Sequence, residues 1–249
     1  MSKSPFSLEG KTILITGASS GIGRATAVEC SRLGATIIAT GRNEGRLNET
    51  LLSLSGEGHS MVLAELTSEE QLDSLVSSVP TLDGVVLCAG KGLMLPVQFS
   101  THEKMLDTLD SNFLYPVELF RRLLKKKKVN RGASVVAVSS MGGTHFYTVG
   151  NGAYGASKAA LDSYMKFCAR ELASKDIRVN TVLPAMIDTP LIHRGAVSDE
   201  DHARDAATYP LKRYGKPEEV AFGIIYLLSD AAAWVTGTSL IIDGGKSLV

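Results

Sequence analysis

Residues 12–23 read TILITGASSGIG, an apolar run that passes directly into a glycine-rich turn. Thr12–Thr16 is β-branched or aliphatic at every position, the composition of a strand buried on both faces. Glycines at 17, 21 and 23 let the backbone turn tightly and approach a ligand closely. A helical pattern near 22–33 follows, so the first N–H groups and the positive dipole end of a helix face the turn. In that context Gly17, Ser19, Ser20, Gly21, Ile22 and Gly23 are expected to cradle the pyrophosphate of a dinucleotide.

The same unit repeats outward. Apolar runs at Thr36–Thr40, Met61–Ala64, Val85–Cys88, Ser134–Ser139, Arg178–Leu183 and Ser239–Ile242 alternate with helical patterns near 44–54, 68–79, 101–127, 153–174 and 217–229. The alternation predicts an α/β fold: a doubly wound, mainly parallel, seven-stranded sheet with helices on both faces. With 44% hydrophobic residues, the 249-residue chain reads as one domain, residues 1–249, around a single large core. Residues 186–214 break the rhythm with a polar connection between the sixth and seventh strands. A connection that long in a compact domain suits an insertion over the substrate, the alternative being a plain surface excursion.

Composition narrows the function. Twenty-six basic residues balance 26 acidic ones, so the chain lacks the positive excess of a nucleic-acid binder. No apolar run approaches the roughly 18 residues of a membrane span, and the N-terminus has no secretory leader pattern. A cytoplasmic protein that contacts no membrane is expected. Cys30, Cys88 and Cys168 lie far apart and read as small buried hydrophobes, not as a disulfide framework. The five histidines form no i, i+4 pairing with carboxylates, so no metal site is expected.

After the second strand the chain reads Ala39-Thr40-Gly41-Arg42-Asn43, with no carboxylate before Glu44. A carboxylate at this place binds free ribose hydroxyls, whereas arginine accommodates a 2′-phosphate. Arg42 therefore points to NADP(H), with NAD(H) as the alternative and a solvated surface arginine as the plain reading. Further on, Tyr154 and Lys158 stand four residues apart on one helix face, at the carboxyl ends of the strands. A lysine ammonium and an oxidised nicotinamide beside a tyrosine favour its phenolate and lower its pKa. Ser140 ends the preceding strand, placed to hold a substrate oxygen, with Ser139 as its competitor.

Taken together, TGASSGIG at 16–23, SSMGG at 139–143, YGASK at 154–158, VLPAMIDTP at 182–190, GKPEEVA at 215–221 and VTGTSLIIDGG at 235–245 resemble the short-chain dehydrogenase/reductase family over nearly the whole chain. The resemblance implies a Rossmann fold, with Tyr154 as general acid/base, Lys158 holding the nicotinamide ribose and Ser140 orienting the carbonyl. It implies a fourth member in Asn112, whose backbone carbonyl holds a water of the proton relay. Pro116 gives independent support, because it has no N–H to offer that carbonyl, and a helix through it would kink. The resemblance also places Glu65, Leu66, Cys88, Ala89, Gly90, Pro184, Ile187 and Thr189 against the cofactor. It sets Met141, Gly142, His145, Met186, Leu191 and Ile192 around the substrate. Two departures stand out. Leu87-Cys88-Ala89-Gly90 replaces the usual Asn-Asn-Ala-Gly, and Pro184-Ala185 replaces Pro-Gly.

The expected activity is NADPH-dependent reduction of a carbonyl to a secondary alcohol. The compact length and the GKPEEVA segment are similar to 3-oxoacyl-[acyl-carrier-protein] reductases of fatty acid biosynthesis, which makes a 3-oxoacyl thioester the first substrate. A sugar, steroid or other secondary-alcohol dehydrogenase is the alternative, and a non-catalytic cofactor-binding sensor the rival of another class. The resemblance implies a homotetramer built on the 101–127 and 153–174 helices and the C-terminal strand region. The basic run Arg121-Arg122 and Lys125–Lys128 reads either as a solvated helix end or as a docking face for an acyl carrier protein.

Overall fold

The computed structural model describes residues 4–194 and 198–249. Its strands are β1 (Thr12–Thr16), β2 (Thr36–Gly41), β3 (Ser60–Leu63), β4 (Leu82–Leu87), β5 (Val129–Val138), β6 (Arg178–Pro184) and β7 (Ser239–Ile242). They form one parallel sheet in the order β3-β2-β1-β4-β5-β6-β7. The order reverses between β1 and β4, which opens a crevice at the carboxyl ends of those two strands. The helices are α1 (Gly21–Arg32), α2 (Glu44–Leu52), α3 (Glu69–Ser78), α4 (His102–Leu109), α5 (Tyr115–Lys125), α6 (Gly152–Leu172), α7 (Asp199–Thr208) and α8 (Pro217–Leu228).

Successive strand residues point to opposite faces, so each strand feeds two cores. Ile13 and Ile15 of β1 join Val86, Val136 and α8 residues Val220, Ile224 and Ile225 on one side. Leu14 joins Val85, Val135, Leu119 and Phe120 of α5 and Leu161 and Met165 of α6 on the other. Cys30 is buried in the first core and Cys168 in the second, both as free thiols.

The strand boundaries differ from the sequence reading where polar side chains serve the sheet. β4 and β5 begin several residues earlier than the apolar runs suggest. Asp83 Oδ1 accepts a bond from Asn130 Nδ2 at 2.8 Å, and its Oδ2 accepts from Thr12 N at 2.9 Å. At the other end Cys88 leaves the ladder, because the Thr16 hydroxyl accepts from Cys88 N at 2.9 Å and Ala89 N at 3.0 Å. The helix expected over 101–127 is two helices, joined by a wide turn over Asp110–Leu114. Pro116 cannot donate to the carbonyl of residue 112, and Tyr115 N bonds back to Asp110 O, one residue further than in an α-helix. Within the predicted insertion at 186–214 lie a single turn, Ile192–Arg194, and α7; residues 195–197 lie outside the described residues.

The lysine run sits at the opposite end of the sheet from the crevice, between the end of α5 and the start of β5. Lys125 closes α5 and Val129 starts β5, whose ten residues at about 3.3 Å each put roughly 30 Å between the run and Ser140. Lys128 instead donates to the carbonyls of Val79 at 2.6 Å and Ser77 at 3.4 Å, neutralising the C-terminal end of α3.

Candidate active site

The crevice is a cleft of about 690 Å³ that runs from the glycine turn after β1 to the start of α6. At one end Gly17 has a φ of +69°, and a Cβ on Gly23 would lie 2.3 Å from the Gly17 carbonyl oxygen. Only glycine permits that fold-back. Ser20 starts α1 without a side-chain cap and no acidic residue occupies the first turn, so the dipole end is presented to the cleft uncompensated. Thr189 packs here, its methyl carbon 3.2 Å from where a Cβ on Gly21 would stand, and it is 9% exposed. The post-β6 segment therefore reaches back to the glycine turn.

Beyond the cradle the wall is Thr40, Gly41, Arg42, Asn43, Arg46, Glu65 and Leu66. The Thr40 hydroxyl is buried without a hydrogen-bond partner, an orphan polar group in the cleft wall. Arg42 is exposed and its guanidinium lies 3.3 Å from Glu65. An exposed pair of this kind is weak, so the arginine is free to exchange partners. Arg46, an orphan hydroxyl and a bare helix end are donors without matching acceptors, and Arg42 is held only by the exposed Glu65 pair. A dinucleotide phosphate and ribose have the acceptors they lack, so the cradle fits a nicotinamide dinucleotide.

At the other end the sequence-predicted residues converge. Lys158, 4% exposed, donates from Nζ to the Val138 carbonyl at 2.8 Å. A Cβ on Gly90 would stand 3.3 Å from that Nζ and 2.9 Å from Asn112 Oδ1. Asn112, fully buried, clamps the segment after β4: its Nδ2 donates to Lys91 O at 2.9 Å and to Ser157 Oγ at 3.1 Å, while Oδ1 accepts from Lys91 N at 2.8 Å. The two competing serines separate cleanly. Ser139 Oγ donates to the Lys158 carbonyl at 2.7 Å and pins α6 to β5. Ser140 Oγ accepts from Gly142 N at 3.1 Å and hydrogen-bonds the Tyr154 phenol.

In the protein alone the Tyr154 phenol is governed by burial and by Ser140. Burial pushes the phenol above its ordinary value, the Ser140 hydrogen bond pulls the other way, and the Lys158 ammonium is turned to Val138. Burial also holds Lys158 down at about 8. The Cys88 thiol is pushed up to about 11 by burial, against a smaller opposite pull from Lys158, so it is protonated at neutral pH and no nucleophile.

Of the expected substrate residues, Ser140, Met186 and Leu191 line the cleft. Met141, Gly142 and His145 do not. The Met141 carbonyl accepts from the N–H groups of Thr144, His145 and Phe146, which winds the loop tightly, buries Met141 and Gly142 and leaves His145 exposed against Thr144. Ile187 is 5% exposed in the cleft wall; Met186 O and Asp188 N both bond Gly215, so its own N–H points away from Gly215. The sequence assigns no role to Thr16 or Thr40, hydroxyl residues that look like ordinary strand formers until their surroundings are known. Among the described residues, no group of three or more His, Cys, Asp or Glu could hold a metal ion, and no helix is long and apolar enough to cross a membrane.

A family model described as enoyl-(acyl carrier protein) reductase matches residues 17–247. The chain belongs to the short-chain dehydrogenase/reductase family. Members of this family are oxidoreductases that bind NAD or NADP. A 3-oxoacyl-[acyl-carrier-protein] reductase of Rickettsia felis is 33% identical over 246 residues, spanning 97% of this chain and 99% of its own. Among solved structures, levodione reductase superposes with a TM-score of 0.89 at 27% identity, covering 97% of this chain and 99% of its own. A protein of Beutenbergia cavernae, provisionally assigned as an NAD(P)-dependent gluconate 5-dehydrogenase and solved with NADP at low occupancy, gives 0.88 at 29% identity, covering 99% and 100%.

Proposed function

We propose that this protein is an NADPH-dependent reductase that converts a carbonyl to a secondary alcohol. The observation that carries the reading is the convergence of Ser140, Tyr154 and Lys158 in the same cleft as the glycine cradle. NADPH supplies the hydride. Ser140 holds the carbonyl oxygen and Tyr154 donates the proton that the developing alkoxide takes up. The phenol is protonated at neutral pH, which is the form that donates. Lys158, fixed by Val138 and set against Gly90, is the group to hold the nicotinamide ribose. The Asn112 carbonyl, denied an i+4 donor by Pro116, is the place for a relay water.

The cofactor preference rests on Arg42, with Arg46 beside it in the same wall. Arg42→Ala should raise KM for NADPH about tenfold and leave KM for NADH within about twofold, the loss of one charge-assisted contact. Equal effects on the two cofactors would place the 2′-phosphate elsewhere.

Among carbonyl substrates a 3-oxoacyl thioester comes first, because the Rickettsia felis relative carries that activity in its name. The test is NADPH oxidation against an acetoacetyl thioester on carrier protein and on coenzyme A, a diketone, a keto sugar and a ketosteroid. Turnover of the thioester, faster with NADPH than NADH, is the expected result. Turnover of the diketone or keto sugar alone would keep the reaction and move the substrate class. NADPH bound without any turnover would leave the cofactor-binding sensor as the reading.

A further inference from the structure

The C-terminal turn carries a cation that the site described above does not use. After β7 the chain reads Asp243-Gly244-Gly245-Lys246. Asp243 closes the turn, Oδ1 accepting from Gly245 N at 2.9 Å and Oδ2 from Ser247 N at 2.8 Å. Gly245 has a φ of +84°, and a Cβ there would come within 2.9 Å of Pro210 Cγ, so the turn lies flat on the residues that follow α7. Leu211 N donates to the Gly244 carbonyl at 3.3 Å across the same contact. This geometry aims Lys246 inward and leaves it 8% exposed.

The ammonium lies 4.8 Å from the centre of the Tyr209 ring and 5.2 Å from that of Phe146. It donates to Thr208 Oγ1 at 2.5 Å, with Asp205 Oδ1 4.0 Å away. An enclosed ammonium is costly unless compensated, and two aromatic faces, a hydroxyl and a carboxylate compensate it here. Those partners come from the two segments that flank the reactive centre. Phe146 ends the loop that starts at Ser140, bonding Met141 O through its N–H and Gly143 N through its carbonyl, both at 3.1 Å. Thr208 and Tyr209 end α7, and the Tyr209 hydroxyl accepts from Met186 N at 3.3 Å, in the cleft wall.

We propose that Lys246 is a positioning residue whose ammonium ties the Ser140 loop to the end of α7 and so sets the substrate side of the cleft. The catalytic consequence rests on the reductase reading; the tie itself does not. Lys246→Met keeps the length and apolar body of the side chain and removes the cation. It should raise KM for the carbonyl substrate about tenfold, with kcat and the Kd for NADPH changed by less than about twofold. Hydrogen exchange in peptides covering 141–146 and 205–211 should speed up together. Lys246→Arg keeps a cation for both rings and should recover most of both effects. An unchanged substrate KM, a KM and cofactor Kd that rise together, or faster exchange confined to 243–249 would each overturn the proposal. A wild-type protein that turns over no carbonyl would defeat the reductase reading, while the exchange comparison would still decide whether the tie exists.

Discussion

Tyr154→Phe should lower turnover about a thousandfold while the Kd for NADPH moves by no more than about threefold. General acid catalysis is worth roughly 10² to 10⁴ in rate, and the substitution removes the donating hydroxyl and nothing else. The ring still fills its place at the start of α6, and Ser140 keeps its second partner, the Gly142 N–H. Folding is therefore preserved, and thermal unfolding of the variant should match the wild type within a few degrees. The wild-type pH profile carries the same argument. The reductive rate should hold through neutral pH, because the phenol is protonated throughout, and fall as pH rises past about 8, where Lys158 loses its charge. A Tyr154→Phe enzyme within tenfold of wild type would mean that another group delivers the proton.

The parts of this molecule legible in its sequence are those where local geometry dictates residue type. A chain that folds back until a Cβ would sit 2.3 Å from a carbonyl must have glycine, so the cradle announces itself. Tyr154 and Lys158 share a helix face by spacing alone, and the wide turn at Asp110–Leu114 follows from the missing N–H of Pro116. What sequence conceals is contact between distant segments. Nothing local says that three N–H groups will gather on the Met141 carbonyl and turn His145 away from the cleft. The charge of the lysine run is readable in sequence, but the end of the sheet on which it falls is not. Ser139 and Ser140 were indistinguishable as residue types; one is taken up by the Lys158 carbonyl and the other by Tyr154. The Arg42–Glu65 contact, which bears on cofactor choice, joins the ends of two strands 23 residues apart.

Lys158→Met should abolish most activity and make the protein more stable at pH 7. Lys158 is almost fully buried, with Val138 O as its hydrogen-bonded acceptor, and its pKa stands at about 8 against 10.5 for a free side chain. A depressed lysine pKa means the folded state disfavours the proton. Below pH 8 both states bind it, and the folded state bears the full desolvation cost, on the order of 3 kcal/mol. Between pH 8 and 10.5 the unfolded chain holds more protons than the folded one, so wild-type stability should rise with pH across that window. Methionine removes the buried charge and fills similar space, but it leaves the Val138 carbonyl without its donor, a loss of about 1 kcal/mol. The net gain at pH 7 should be about 2 kcal/mol, or roughly 4–8 °C in Tm for a chain of this size, shrinking to nothing near pH 10. Chemical denaturation of both proteins at pH 7 and pH 10 measures it. A variant less stable at pH 7, or a difference independent of pH, would show that the ammonium is stabilised by its surroundings. The site would not then be holding its charge against the fold, a cost that a catalytic role for Lys158 explains and a structural one does not.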